Sequence, residues 1–194
     1  MNKIECFKKE LGYIKSLELR KDAEKLIDGL PDYFFSIAAS STGKYHPKYA
    51  LGNGGLLRHT KAAVRIAHEL LENPLIGNKY SNEEKDLMLI ALILHDGLKH
   101  GKQESAYTRF DHPLIAANYV KESKDFLNMS EEDIEFICQV ISSHMGIWNK
   151  DFDGNEVLPV PNTKYQNFVH MCDYLASRKS IQFEFDDRNN ILEV

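Results

Sequence analysis

Residues 86–100 read DLMLIALILHDGLKH. The run Leu87–Leu94 has no polar face, and it is far shorter than the roughly 20 apolar residues that span a bilayer. A helix that is apolar all round belongs in the middle of a globule, so residues 83–98 are predicted to form the central buried helix. That helix ends in His95 and Asp96, four residues after Ala91 and Leu92 respectively. Side chains four apart share a helix face, so a histidine and an aspartate are aimed along faces that otherwise bury hydrocarbon.

Working outward, four other segments repeat the oddity. In GGLLRHT, residues 54–60, His59 begins a stripe continued by Ala63, Ile66 and Leu70. His112 precedes Ile115 and Tyr119, His144 follows Ile137 and Ile141, and Asp173 sits between Val169 and Ala176, all at steps of three or four. Helices are predicted over 58–72, 112–127 (Pro113 in its first turn), 131–145 (Ser130 and Asp133 forming a capping-box start) and 163–179. One or two more fall within 2–28, with a loose stripe of Leu11, Ile14, Leu17 and Leu19, and a short one runs through Tyr33–Ile37. The stretch 40–55, SSTGKYHPKYALGNGG, is rich in turn formers and reads as a long loop of the kind that often carries function. The tail 181–194 holds two short β-prone runs compatible with a hairpin. The fold class is therefore all-α, one domain over 1–194, with N-terminal helices in 1–40 and the core in 54–178.

A single histidine on an apolar face is more often a hydrogen-bonded core residue. The joint pattern argues otherwise. An unpaired carboxylate in a dry interior costs several kcal/mol, and only Lys99 and Arg178 stand near enough in sequence to neutralise Asp96 and Asp173. Divalent metal satisfies both carboxylates and uses neutral imidazoles as ligands. The candidate ligands are His59, His95, Asp96, His112, His144 and Asp173. Mixed nitrogen and oxygen donors suit manganese, iron, cobalt, nickel or zinc, one ion or two.

The 194 residues carry a net charge of −5, which offers no broad basic surface to duplex DNA or a membrane. The charged N-terminus lacks the apolar core of a signal peptide. Cys6, Cys138 and Cys172 are scattered and odd in number, which suits a reducing cytoplasm. Cys138 and Cys172 read as small core residues.

The order His59, His95-Asp96, Asp173 resembles the HD superfamily of metal-dependent phosphohydrolases, in which HDGLK at 95–99 approximates the common H-D-x-G-K. GGLLRHT is similar to the opening of the HD domain in a group of bacterial 3′→5′ exoribonucleases. DHPLIAA at 111–117 with SSHMG at 142–146 resembles the extra histidine pair of two-metal HD proteins, including the HD-GYP cyclic-di-GMP phosphodiesterases, although G-Y-P itself is absent and Met145 replaces a second histidine. The resemblance implies that His59, His95, Asp96 and Asp173 hold one metal and that Asp96, His112 and His144 complete a second. It further implies a hydroxide nucleophile that attacks a phosphoester, with Asp96 and Lys99 catalytic. For Lys99, a helix-terminal cation complementing the dipole is an equal reading.

Substrate contacts are expected from Lys44, His46 and Lys48 of the loop, with Tyr45 or Tyr49 stacking on a base, and from Arg109, whose fork can clamp a phosphate. Arg178 is expected to pair with an acid. His170 is expected to support a ligand, and His68 and His100 to be exposed. The substrate class is a small nucleotide, cyclic nucleotide or short oligonucleotide. Two alternatives stay open: a di-iron oxygenase on the same ligand frame, and a non-catalytic nucleotide-binding regulatory protein.

Overall fold

The computed structural model describes residues 2–40, 42–151 and 153–193. Among these the chain is all-α: α1 (Lys3–Cys6), α2 (Lys8–Leu11), α3 (Leu17–Asp28), α4 (Gly55–Glu72), α5 (Pro74–Gly77), α6 (Asn82–Leu94), α7 (His112–Glu122), α8 (Glu131–Ser142) and α9 (Lys164–Ala176). No helix of the described residues is long and apolar enough to cross a membrane.

The central position of α6 follows from its composition. Every residue from Asp86 to Leu94 is buried, so beyond its first turn the helix has no solvated face and must be enclosed. Its start is fixed by a capping box, with the Ser81 hydroxyl accepting from Glu84 N and the Glu84 carboxylate accepting from Ser81 N. α4 packs against both α6 and α9, α8 against α6, and α7 against α8. The ends of these five helices therefore meet around the C-terminus of α6. Capping boxes also start α8 (Ser130 with Asp133) and α9 (Thr163 with Gln166).

Glycine is required where α4 begins. A Cβ on Gly55 would lie 2.4 Å from the Ala50 carbonyl oxygen, so the loop and the first turn approach too closely for a side chain. Arg58 then ties the loop down: its Nη2 donates to Leu51 O at 2.9 Å and its Nε to Tyr49 O at 2.5 Å. Nη1 of the same guanidinium reaches Asn189 Oδ1 in the C-terminal tail at 2.5 Å.

Several expected elements are shortened. The N-terminal region makes three helices instead of one or two, broken around Phe7 and between Gly12 and Ser16; Leu17 is 66% exposed and off the stripe. The segment after Pro31 forms a single 3₁₀ turn, Asp32–Phe35, with all three aromatics buried. Helix α7 stops at Glu122, and α9 stops at Ala176. The tail is a reversal held by one isolated bridge, Phe185 with Ile191, and has no strands among its described residues. Its backbone is instead fastened by side chains, with Lys61 Nζ donating to Asn189 O at 3.0 Å and Asn190 Oδ1 at 2.9 Å. His68 and His100 are half-buried rather than exposed, and they stack on Tyr13 and Tyr33 with ring centroids 3.8 and 5.6 Å apart. Cys138 and Cys172 are buried, and burial pushes both thiols up.

Candidate metal centre

Helix α6 ends at Leu94, and His95 and Asp96 occupy the turn beyond it. Neighbouring helical side chains diverge by about 100°, but here both reach the same interior point. His95 Nε2 lies 3.6 Å from Asp96 Oδ2 and 3.4 Å from Asp173 Oδ1. His59, from the first turns of α4, places Nε2 at 2.9 Å from Asp173 Oδ1 and 3.9 Å from Asp96 Oδ2. His112 opens α7 with Nε2 at 2.9 Å from Asp96 Oδ1, and His144, just past α8, has Nε2 at 3.7 Å from the same oxygen. The structure thus brings the six candidate ligands into one cluster. Two overlapping triplets within it have donor atoms all inside 4.8 Å: His59, His95 and Asp173, and His95, Asp96 and His144.

The tautomers are set by the backbone. Nδ1 of His95, His112 and His144 each donates to the carbonyl three residues earlier, Leu92, Arg109 and Ile141, at 2.6, 2.7 and 2.7 Å. With the proton held at Nδ1, Nε2 presents a lone pair to the cluster, the arrangement that metal-bound histidines use. His95 Nε2, His112 Nε2 and Asp96 Oδ1 are buried without a hydrogen-bond partner; with its proton at Nδ1, His112 has none to donate from the Nε2 that lies 2.9 Å from Asp96 Oδ1. Lone pairs facing one another in a dry interior are unfavourable, and a cation between them removes the conflict. The donor set therefore fits a divalent transition metal. His59 differs, because its buried Nδ1 has no partner.

Charges inside the cluster are strongly coupled. Burial would push the Asp96 carboxyl up, but opposing charge, the Lys99 ammonium foremost, holds it well below the usual range. Asp173 is held low in the same way by His59 and His95. Burial pushes the His112 imidazole down, whereas on His95 the two carboxylates overcome burial and raise it. Lys99 Nζ sits 2.5 Å from Asp96 Oδ2.

Above the cluster opens a cavity of about 560 Å³. His59, Asp96, Lys99, His112, His144 and Asp173 line it, while His95 lies behind its wall. Tyr45 and His46 lean in from the 40–55 loop. The His46 ring lies 5.2 Å from that of His59, and burial drives its imidazole down to about 3.

Several expected substrate contacts lie elsewhere. Lys44 and Lys48 are exposed and outside the cavity lining. Arg109 also lies outside it and forms a bidentate pair with Asp111 at 2.8 and 2.8 Å. Two residues apart on a turn, those charges meet locally before either can reach the cluster. Tyr49 is buried, with its hydroxyl donating to Ala176 O at 2.7 Å. Among the described residues Arg178 pairs with no acid. Its guanidinium lies over Tyr174 at 4.2 Å.

His170 supports the site indirectly. Its Nδ1 donates to the His144 carbonyl at 2.7 Å, fixing the peptide of a candidate ligand. This contact explains Gly146, which has φ +63 and where a Cβ would fall 2.2 Å from the His170 ring. Sequence reasoning missed Thr108, Met145, Trp148, Tyr174 and Ser177 of the lining. Trp148 stacks on Tyr174 with centroids 5.9 Å apart and planes at 12°. One signal was available: Tyr174 adjoins Asp173 and stands four before Arg178.

No curated protein and no solved structure matches the chain. Residues 56–178 match the HD domain family, a span that holds all six clustered side chains and most of the chain. With the His and Asp residues of that order converging at the floor of one cavity, the chain belongs to the HD-domain family, whose members are generally metal-dependent phosphohydrolases.

Proposed function

We propose that the protein hydrolyses a phosphoester of a small nucleotide, cyclic nucleotide or short oligonucleotide, using one or two divalent transition metals held by His59, His95, Asp96, His112, His144 and Asp173. The observation that carries this reading is the unpartnered Oδ1 of Asp96, buried beside two imidazole nitrogens whose lone pairs point at it. In this reading His59, His95, Asp96 and Asp173 hold one ion, and Asp96, His112 and His144 hold the other. A bound ion supplies a Lewis acid that activates water near neutral pH.

The protein's own groups do the rest. Lys99 brings positive charge to the cavity floor beside Asp96, where a phosphoryl group gains most from it. His46 lies edge-on to His59 on one side of the cavity, ring centroids 5.2 Å apart. Trp148 and Tyr45, 50% and 61% exposed, offer flat apolar surfaces at the cavity wall on which a base can stack. A net charge of −5 disfavours long polymers, which bind along extended cationic grooves.

Protein purified without chelator is expected to carry one to two equivalents of manganese, iron, cobalt, nickel or zinc. It is further expected to release phosphate or nucleoside from at least one member of a panel of mono-, di- and cyclic nucleotides. Chelation should abolish turnover and lower the melting temperature, because a ligand present at 100 times its Kd stabilises by about 2.7 kcal/mol. Tight nucleotide binding by metal-loaded protein without turnover would instead mark a binding module. Turnover that needs iron and dioxygen would mark an oxygenase.

A further inference from the structure

Arg178 stands just past the end of α9, five residues after Asp173, and lines the same cavity. Its orientation is held from two sides. The guanidinium lies over the Tyr174 ring at 4.2 Å, a cation–π contact between residues four apart. Its Nε and Nη2 both donate to Ser177 Oγ, at 3.1 and 2.7 Å, and that hydroxyl donates onward to Tyr174 O at 2.7 Å.

A guanidinium has five N–H donors arranged as a planar fork. Ser177 takes the edge made by Nε and one Nη2 hydrogen. The end-on edge, made by Nη1 and the other Nη2 hydrogen, has no hydrogen-bond partner and no ion-pair partner among the described residues, the side chain's contacts being those to Ser177 and Tyr174. The cavity's other cation, Lys99, is already paired with Asp96. What remains is one immobilised guanidinium whose bidentate edge is unfilled, beside a cluster built for phosphoester chemistry. That edge matches the geometry of a phosphate or carboxylate. Fixing it before binding lowers the ordering cost of using it.

We propose that Arg178 seats a second phosphate of the substrate, separate from the phosphoester handled at the His and Asp cluster. Preferred substrates then carry two phosphates, as nucleoside diphosphates, bisphosphates and short oligonucleotides do. The identity of the first group rests on the phosphohydrolase reading above; the second anchor is argued from Arg178, Tyr174 and Ser177 alone.

Titration calorimetry with three phosphonates tests this, because a phosphohydrolase does not break their P–C bonds. They are methylphosphonate, methylenebisphosphonate and propane-1,3-bisphosphonate, each titrated into the protein with and without manganese. In the wild type, at least one bisphosphonate is expected to bind more than tenfold more tightly than methylphosphonate. Arg178→Gln should collapse that affinity ratio to near one, Arg178→Lys should restore part of it, and Ser177→Ala, which frees the fork without removing charge, should reduce it by a smaller factor. A ratio near one in the wild type, a ratio that survives Arg178→Gln, or no binding of any phosphonate would overturn the proposal. Because the readout needs no turnover, a protein that hydrolyses nothing yet keeps the Arg178-dependent ratio would sink the hydrolase reading and leave the second anchor standing.

Discussion

Asp86 and Asp96 stand ten residues apart on the same apolar segment, and both are 2% exposed. Asp86 is fully answered: its Oδ1 accepts from Lys15 N at 2.9 Å and its Oδ2 from Ser16 N at 2.8 Å, fastening the N-terminal region to α6. Asp22 is satisfied in the same way, with Oδ2 accepting from Asn128 N at 2.6 Å and Met129 N at 2.9 Å. Asp96 is not. One oxygen holds Lys99, and the other faces imidazole lone pairs with no donor. Burial alone therefore does not distinguish a structural carboxylate from a candidate ligand. The kind of neighbour does: backbone N–H groups make a clip, and unprotonated nitrogens leave room for a cation.

Exchanging the two roles should give opposite phenotypes, and this is the largest effect expected. Asp96→Ala is expected to abolish metal binding and turnover, a loss exceeding the ~10–100-fold typical of an outer supporting partner, while the metal-free fold stays intact. Asp86→Ala should keep metal and turnover but destabilise by about 2–4 kcal/mol, because two N–H groups lose their acceptor. Metal analysis and denaturant unfolding on both variants read this out directly. Equal metal loss in both would erase the distinction.

The same contrast explains what could be read from the sequence. His59, His95, His112, His144 and Asp173 occupy helices or helix ends, where a period of three to four links them to apolar neighbours. That periodicity gave both the helix order and the side chains the structure gathers. Lys44, Lys48 and Arg109 lie in irregular segments, where no period says which way a side chain points. There, residue type alone was a poor guide to position. Trp148 belongs to the non-helical stretch after α8 and was invisible for the same reason. Shortened helices such as α7, and a tail with a single bridge, reflect local capping and side-chain clips that propensity does not encode.

A third buried polar arrangement lies between these extremes. Glu10 and Lys61 are 1% and 0% exposed as side chains, with Nζ and Oε2 3.6 Å apart. Burial dominates both groups, raising the Glu10 carboxyl and lowering the Lys61 ammonium despite their attraction. Replacing the pair with hydrocarbon of similar volume is often neutral or stabilising by ~1–4 kcal/mol, whereas removing one partner costs ~3–5 kcal/mol. Glu10→Leu is therefore expected to destabilise, and Glu10→Leu with Lys61→Met to recover only part of that loss, because Lys61→Met also removes the bonds to Asn189 O and Asn190 Oδ1 in the tail. The sign of the pH effect follows from Glu10. A raised folded-state carboxyl favours folding most below its ordinary value of 4.5, and that contribution is lost as pH rises through the folded value. The double variant should thus compare best with the wild type near neutral pH and worst below 4.5. Unfolding curves across that range that run parallel would show that the pair carries no net penalty.

The smallest effect belongs to the exposed counterpart of that pair. Glu193 accepts from Arg65 Nη1 and Nη2 at 2.8 and 2.9 Å and from Lys9, latching the tail to α4 and α2. These cations pull its carboxyl down from 4.5 to about 2. A depressed carboxylate contributes above its ordinary value and is lost as pH falls through the folded one. The latch should accordingly be complete above 4.5 and open toward 2. The reporter is the Leu192 amide, which donates to Glu184 O at 2.9 Å next to the latch. Its protection from hydrogen exchange is expected to fall across that interval in the wild type. In Glu193→Gln, protection should already be low at neutral pH and should change little on acidification. Asp186, also held low, mainly by the Asn190 backbone N–H, titrates nearby in both proteins, so only the difference between them reports the latch. Matching profiles would assign the transition to Asp186 and leave Glu193 a solvent-screened pair of negligible weight, the ordinary outcome for exposed ions.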